Sequence, residues 1–164
     1  MKKHIFWVGI WEFEHSDKYG NILDAWVEQN ALADEGEQNL LDAYFRSQNS
    51  PSIFYIRLFN DTPVETDSIS SLTGEPSTNG YSAQSLGRNT SGFPTLELNS
   101  GDYRVVSDQV TFTASGGSWG PVIYATLTTS SDSSGKLIAY VALSTSRTLA
   151  DGETLRVRFY IKLQ

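Results

Sequence analysis

Hydrophobic and polar residues alternate along the last third of the chain, which is the pattern of strands that bury one face. In residues 155–163, apolar side chains at odd positions alternate with arginine, tyrosine and lysine at even positions. Turn residues at 133–135 and 151–152 punctuate this part of the chain. The pattern predicts strands at 102–106, 109–114, 121–128, 137–143 and 155–163.

The chain starts with a strand pattern that is apolar on both faces. A strand over residues 5–14 has Trp7, Gly9, Trp11 and Phe13 on one face and Phe6, Val8 and Ile10 on the other. Turn residues at 17–21 and a second strand at 22–29 complete a β-hairpin. Because a sandwich covers only one face of an added ribbon, we expect residues 1–29 to be an assembly hairpin. Residues 30–164 then form the domain that holds most of the core.

One helix is predicted between these regions, over residues 34–46. Asp34 and Glu37 have the spacing of a capping box. Four apolar residues at helical spacing predict a stripe that packs on the core: Leu40, Leu41, Tyr44 and Phe45.

The middle of the chain alternates between short strands and a long polar segment. An apolar run at 53–60 indicates a buried strand, and 90–98 holds another short one. Residues 61–88 are predicted to form a long loop segment with little regular structure, which we call the excursion. Loops of this length are usually functional. Strands, turns and one early helix together predict an all-β fold: an antiparallel, jelly-roll-like β-sandwich with one short helix and an N-terminal β-hairpin.

Composition excludes several classes of function. Twelve basic against nineteen acidic residues give a net charge of −7, which argues against nucleic-acid binding. The chain has no cysteine, so it has no disulfides, zinc–thiolate sites or thiol nucleophiles. No apolar run reaches the about 20 residues of a membrane span, and residues 1–15 do not resemble a signal peptide. We therefore expect a soluble protein made in the cytoplasm, without a cofactor or membrane partner.

Three patterns raise the question of catalysis or metal binding. Residues 116–120 (GGSWG) match the nucleophile elbow G-x-S-x-G, but no histidine follows Ser118 and the motif lies between strands, so we expect a turn. His4 and His15 fall on opposite faces of one strand, which disfavours a shared metal. The acidic residues, best explained as solvated loop and hairpin groups, are Glu12, Glu14, Asp17, Asp24, Asp61, Glu65 and Asp67. We expect no catalytic residues, and a protein that is not an enzyme.

Aromatic residues are the strongest indication of binding. Three of the four tryptophans lie in the hairpin, where flat rings suit either a sugar or a protein partner. The two apolar faces favour a protein interface. The contact residues predicted on this basis are Phe6, Trp7, Val8, Trp11, Phe13 and Trp26.

Seven short stretches of the chain form a recognisable pattern. They are residues 30–42 (NALADEGEQNLLD), 54–62 (FYIRLFNDT), 74–76 (GEP), 79–81 (NGY), 111–114 (TFTA), 118–121 (SWGP) and 135–139 (GKLIA). Together they resemble small structural proteins of tailed-bacteriophage virions. The resemblance covers residues 30–164 and carries no catalytic motif.

The resemblance implies an adhesive role in the virion. Our first hypothesis is a capsid cement or decoration protein, a dimer or trimer that binds the major capsid protein on the capsid surface and stabilises the shell by linkage. The alternative is a tail, neck or fibre component, in which the hairpin or an aromatic groove binds carbohydrate. The two hypotheses differ in location and in copy number per particle.

Overall fold

The computed structural model describes residues 9–162. It contains eleven strands, one α-helix and a single 3-10 turn, Ile69–Ser71. In chain order the main elements are β1 (Gly9–Ser16), β2 (Ile22–Gln29), β3 (Ala31–Leu32), α1 (Asp34–Phe45), β4 (Ile53–Phe59), β5 (Gln84–Gly87), β6 (Thr95–Asn99), β7 (Asp102–Val106), β8 (Val110–Thr113), β9 (Trp119–Thr128), β10 (Leu137–Leu149) and β11 (Thr154–Lys162).

The strands form two antiparallel sheets. Sheet A has the order β2-β1-β11-β7-β6, and β8 also pairs with β11. Sheet B has the order β3-β10-β9-β4-β5. Side chains from the two sheets share one large apolar cluster, so the predicted β-sandwich with one helix and an N-terminal strand pair is confirmed.

The N-terminal hairpin is built into this sandwich. β1 pairs with β11 over its whole length, with Trp11 opposite Phe159 and Phe13 opposite Val157. The Trp11 ring stacks on Phe159 with 5.2 Å between centroids. β1 lies between β2 and β11, and its odd-numbered residues Trp11 and Phe13 belong to the shared core, so within the hairpin only β2 lies at the edge of the sheet.

Helix α1 has the predicted position but the opposite orientation. Its buried residues are Gly36, Asn39 and Asp42, whereas the predicted core stripe is exposed. The reason is a close approach at Gly36, where any β-carbon would overlap the carbonyl of Ile138. Asn39 donates to the carbonyl of Asn49 at 2.8 Å, which satisfies a polar group on the buried face. A small and polar face therefore packs against β10, and the apolar face is left outside.

The start of α1 also differs from the prediction. No side chain caps the helix, and the residue before it is Ala33. Glu35 instead binds the start of β10, accepting from the backbone N–H of Leu137 at 2.9 Å and from Lys136 Nζ at 3.0 Å. These contacts attach the helix to sheet B.

Because β1 contributes side chains to the core, shortening one of them should destabilise the protein more than shortening an exposed side chain of β2. Trp11 is 1% exposed, whereas Leu23 in the same hairpin is 53% exposed. We expect Trp11→Ala to lower the free energy of unfolding by about 3–5 kcal/mol and Leu23→Ala by about 0.5 kcal/mol or less. Urea unfolding of both variants measures the difference, and equal losses would show that β1 is not part of the core.

Candidate contact surfaces

The six predicted contact residues fall into three groups. Phe6, Trp7 and Val8 lie outside the described residues. Trp11 and Phe13 are 1% and 2% exposed within the core, so they offer no surface to a partner. Trp26 is half-buried at the edge of that core.

Trp26 is held between two neighbours. Its ring stacks on Phe13 with 5.0 Å between centroids, and the guanidinium of Arg147 lies 4.1 Å from its centroid. Arg147 also forms an ion pair with Asp24. Because Arg147 covers the indole, Trp26 is not an open platform for a sugar ring. Trp119 is 3% exposed, so no tryptophan of residues 9–162 presents a free face.

The hairpin nevertheless has an exposed apolar surface, formed by its turn and by β2. We call this the hairpin surface, and it consists of Tyr19, Ile22, Leu23 and Val27, each more than half exposed. β2 has a strand on one side only, so its outer edge carries unpaired backbone groups. An apolar edge strand is suited to binding another chain.

Two further apolar surfaces lie elsewhere on the molecule. The outward face of α1 presents the helix stripe, Leu40, Leu41, Tyr44 and Phe45. The opposite edge of sheet A presents Leu96, Leu98 and Tyr103. The sequence pattern identified the apolar residues of the helix stripe but predicted that they pack on the core. It did not identify the apolar surface at β6 and β7, because the alternation of these strands is that of any half-buried strand.

A buried polar network lies against strand β4 of sheet B, and the sequence analysis did not predict it. Arg57, on β4, is 5% exposed and forms a bidentate ion pair with Glu75, from the segment between β4 and β5. Its Nη1 also donates to the carbonyl of Asp132 at 2.8 Å. The only signal was an arginine inside the apolar run 53–59.

Tyr81 extends this network to the core. Its hydroxyl donates to Glu75 Oε1 at 2.8 Å and accepts from the backbone N–H of Leu58 at 2.9 Å. Its ring stacks on Phe112 and meets Trp119 edge-on, with centroids 5.7 Å and 5.3 Å apart. The excursion 61–88 is therefore fixed to the sandwich, although it contains little regular structure.

The glycine-rich motif 116–120 forms a turn, as predicted. Gly116, Gly117 and Gly120 all have positive φ, and Asp151 accepts from the N–H of Gly116 at 2.8 Å. The side chain of Trp119 fills the core and donates to the carbonyl of Thr113 at 3.3 Å. The motif enters β9, so it lacks the strand-turn-helix setting of a nucleophile elbow.

Five of the seven acidic candidates have structural partners: Glu14, Asp17, Asp24, Asp61 and Asp67. Glu14 pairs with Arg156, and Asp17 accepts two backbone N–H groups in the hairpin turn. Asp61 accepts from the N–H of Gly74 at 2.6 Å, which closes the excursion. His15 is buried beside Glu153, with 3.0 Å between Nε2 and Oε2.

Within residues 9–162, no three histidine, aspartate or glutamate side chains lie close enough together to hold a metal ion. In the same part of the chain, no helix has the length and apolar character to cross a membrane.

Two groups around Arg57 have shifted acidities. Burial, followed by the negative charge of Glu75, raises the pKa of Tyr81 well above its ordinary value near 10. Hydrogen bonds from Ser134 and Ser130 lower the pKa of Asp132 to about 2. Tyr81 therefore stays protonated and Asp132 stays ionised across the physiological range.

The Arg57–Glu75 pair gives a prediction with a matched control. Glu75→Gln leaves a buried guanidinium without its counter-charge, and we expect a loss of about 3 kcal/mol in the free energy of unfolding. Glu97→Gln breaks the more exposed Arg104–Glu97 pair, which is worth about 1 kcal/mol or less. Chemical denaturation distinguishes the two, and a loss for Glu75→Gln no larger than that for Glu97→Gln would contradict the account.

Tyr81 gives a prediction at alkaline pH. Because its folded pKa is raised, its contribution to stability is complete below about pH 10 and declines as pH rises toward the folded pKa, since the unfolded chain then loses the proton first. We expect stability to fall more steeply above pH 10 for the wild type than for Tyr81→Phe, by up to about 1.4 kcal/mol per pH unit. Urea unfolding from pH 8 to 11 measures the slopes, and parallel slopes would refute this assignment.

Residues 31–161 match the model of a protein family described as podophage GP4 fiber I protein gp80. The match covers more than half of the chain and takes in α1, sheet B and all of sheet A except β1 and β2. A search of curated proteins found no match. The predicted resemblance to phage virion proteins is thus confirmed at the level of a virion structural protein, and the description names a fibre where our first hypothesis was capsid cement. The chain belongs to the podophage GP4 fiber I protein family.

Proposed function

We propose that this protein is a structural component of a podophage fibre and acts by adhesion to other virion chains. The family match over residues 31–161 carries this proposal. The match favours a fibre component over a capsid cement protein, because the family description concerns a fibre protein.

The arrangement of polar groups supports adhesion over catalysis. The buried side chains of Arg57 and His15 have fixed structural partners, and the serine of the glycine-rich motif lies in a turn. Residues 9–162 present three exposed apolar surfaces: the hairpin surface, the helix stripe and the edge at β6 and β7. Patches of this kind mark sites of protein association. The net charge of −7 keeps the free chain soluble before assembly.

Within the fibre, we propose that the hairpin surface contacts a neighbouring chain. As in the sequence-based prediction, the hairpin is the part of the chain that contacts a partner. The contact is made by the exposed side of β2, because the Trp11 and Phe13 rings are buried. The edge of β2 offers backbone groups for strand addition, and Leu23 and Val27 offer apolar contacts.

Copy number and location in purified virions test the fibre proposal. Quantitative mass spectrometry of intact particles should find this protein at a small fraction of the abundance of the major capsid protein, and antibody labelling should mark the fibres. An abundance close to that of the major capsid protein, with label spread over the head shell, would restore the cement hypothesis.

A pair of variants tests the hairpin surface. Val27 and Gln29 lie on the same face of β2, and both are exposed. We expect Val27→Asp to be folded by circular dichroism but to be incorporated at least tenfold less into virions, because it places a charge in the apolar contact. Gln29→Asp adds the same charge on the same strand and should be incorporated normally. Equal incorporation of both variants would exclude this surface.

A further inference from the structure

The chain contains one Asn-Gly pair, Asn79–Gly80, which lies in a tight turn of the excursion. The N–H of Tyr81 donates to the carbonyl of Thr78 at 3.1 Å and closes this turn. Both central residues have positive φ, 53° at Asn79 and 79° at Gly80, as in a type I′ turn. Asparagine and glycine adopt this backbone more easily than other residues do, so the pair suits the turn.

The side chain of Asn79 joins this turn to the glycine-rich motif. Its Nδ2 donates to the carbonyl of Ser118, and its backbone carbonyl accepts from the N–H of Ser115 at 2.8 Å. The amide packs so closely on Gly117 that a β-carbon there would lie 3.0 Å from Nδ2. Asn79 therefore clamps the excursion to the motif with one side-chain and one backbone hydrogen bond.

Asn-Gly is also the pair at which asparagine loses its amide most readily. The glycine nitrogen attacks Cγ of the asparagine, a new C–N bond closes a cyclic imide, and the Cγ–Nδ2 bond breaks. The amide leaves as ammonia, which takes the proton of the attacking nitrogen. Water then opens the imide at either carbonyl and leaves aspartate or isoaspartate. Gly80 is exposed and has no side chain to shield its nitrogen, so this turn offers the attacking group to solvent.

We propose that Asn79 is a deamidation site that is protected while the clamp is closed, and that the reaction releases the excursion irreversibly. Attack makes Cγ tetrahedral and then detaches Nδ2, so the hydrogen bond to Ser118 has to break first. The reaction therefore starts from the open turn. It limits the lifetime of the folded chain whether or not the chain is part of a fibre.

The product of the reaction cannot restore the clamp. An aspartate at position 79 is ionised at neutral pH and only accepts hydrogen bonds, so its oxygen would face the carbonyl oxygen of Ser118 with no proton between them. It would also be a second carboxylate beside Gly117, whose N–H already donates to Asp151 at 3.3 Å. Like charges this close repel each other. Isoaspartate adds a carbon to the backbone and changes the turn itself.

The network around Arg57 controls how often the turn opens. Tyr81 directly follows Gly80 and donates to Glu75, which pairs with Arg57. These contacts hold the excursion on both sides of Asn79. Because local reactions follow the population of the open form, weakening the network should speed deamidation.

Peptide mapping by mass spectrometry tests the site in purified full-length protein kept in mildly alkaline buffer. We expect Asn79 to react about tenfold faster in Glu75→Gln than in the wild type, because that variant loosens the excursion. Glu97→Gln, which breaks an ion pair on sheet A, should leave the rate unchanged. Asn49 also has positive φ and precedes a serine, so it is the reference within the same chain.

The wild type alone tests the protection. Asn79 should react at least about tenfold more slowly in the folded chain than in the urea-unfolded chain, because the clamp is closed most of the time. This comparison needs no variant, so it decides the question even where Glu75→Gln does not fold. Equal rates in the folded and unfolded chain would overturn the proposal, as would modification of Asn49 before Asn79.

Two substitutions test the consequence of the reaction. Asn79→Asp and Asn79→Gly both remove the donor and tolerate positive φ, but only the first adds a carboxylate. Limited proteolysis should cut the excursion about fivefold or more faster in Asn79→Asp than in the wild type, with a smaller increase for Asn79→Gly. Cleavage of Asn79→Asp at the wild-type rate would show that deamidation does not release the excursion.

Discussion

The guanidinium of Arg57 is buried in sheet B and has to be met by an anion, and much of the structure is arranged around that requirement. Glu75 meets it from a segment that has little regular structure of its own. Tyr81 then donates to Glu75 and packs against Phe112 and Trp119, which belong to β8 and β9. The ion pair therefore attaches the long excursion to sheet B, and the ring of Tyr81 contacts residues of both sheets. An uncompensated guanidinium in this position would cost about 3 kcal/mol of folding free energy.

The sequence predicted the bounds of several strands that bury only one face. β2 and β7 have the predicted bounds, and β11 differs from its prediction by one residue at each end. Alternation identifies such strands because it reflects local chemistry alone. The sequence also identified the glycine-rich turn at 116–120, since glycine is the residue that adopts positive φ angles most easily in any surroundings.

Sequence reasoning failed where packing partners decide the outcome. The stripe on α1 looks like a core face, but the close approach of Gly36 to β10 turns it outward. Trp11 and Phe13 look like contact residues, but β1 pairs with the distant strand β11 and buries them. Neither the helix orientation nor the long-range pairing is encoded in a periodicity. The Arg57–Glu75 pair was missed for the same reason, because its partners are eighteen residues apart and one lies in an irregular segment.

These corrections change the account of function in a consistent direction. Trp11 and Phe13 in the hairpin stabilise the fold, and the exposed apolar surfaces of residues 9–162 are the hairpin surface, the helix stripe and the edge at β6 and β7. A reconstruction of the intact virion by cryo-electron microscopy, at a resolution that separates strands, tests this account most directly. It predicts that the sandwich fits density in a fibre, with the hairpin surface against a neighbouring chain. Density for the sandwich on the capsid shell, or in a fibre with the hairpin surface facing solvent, would contradict it.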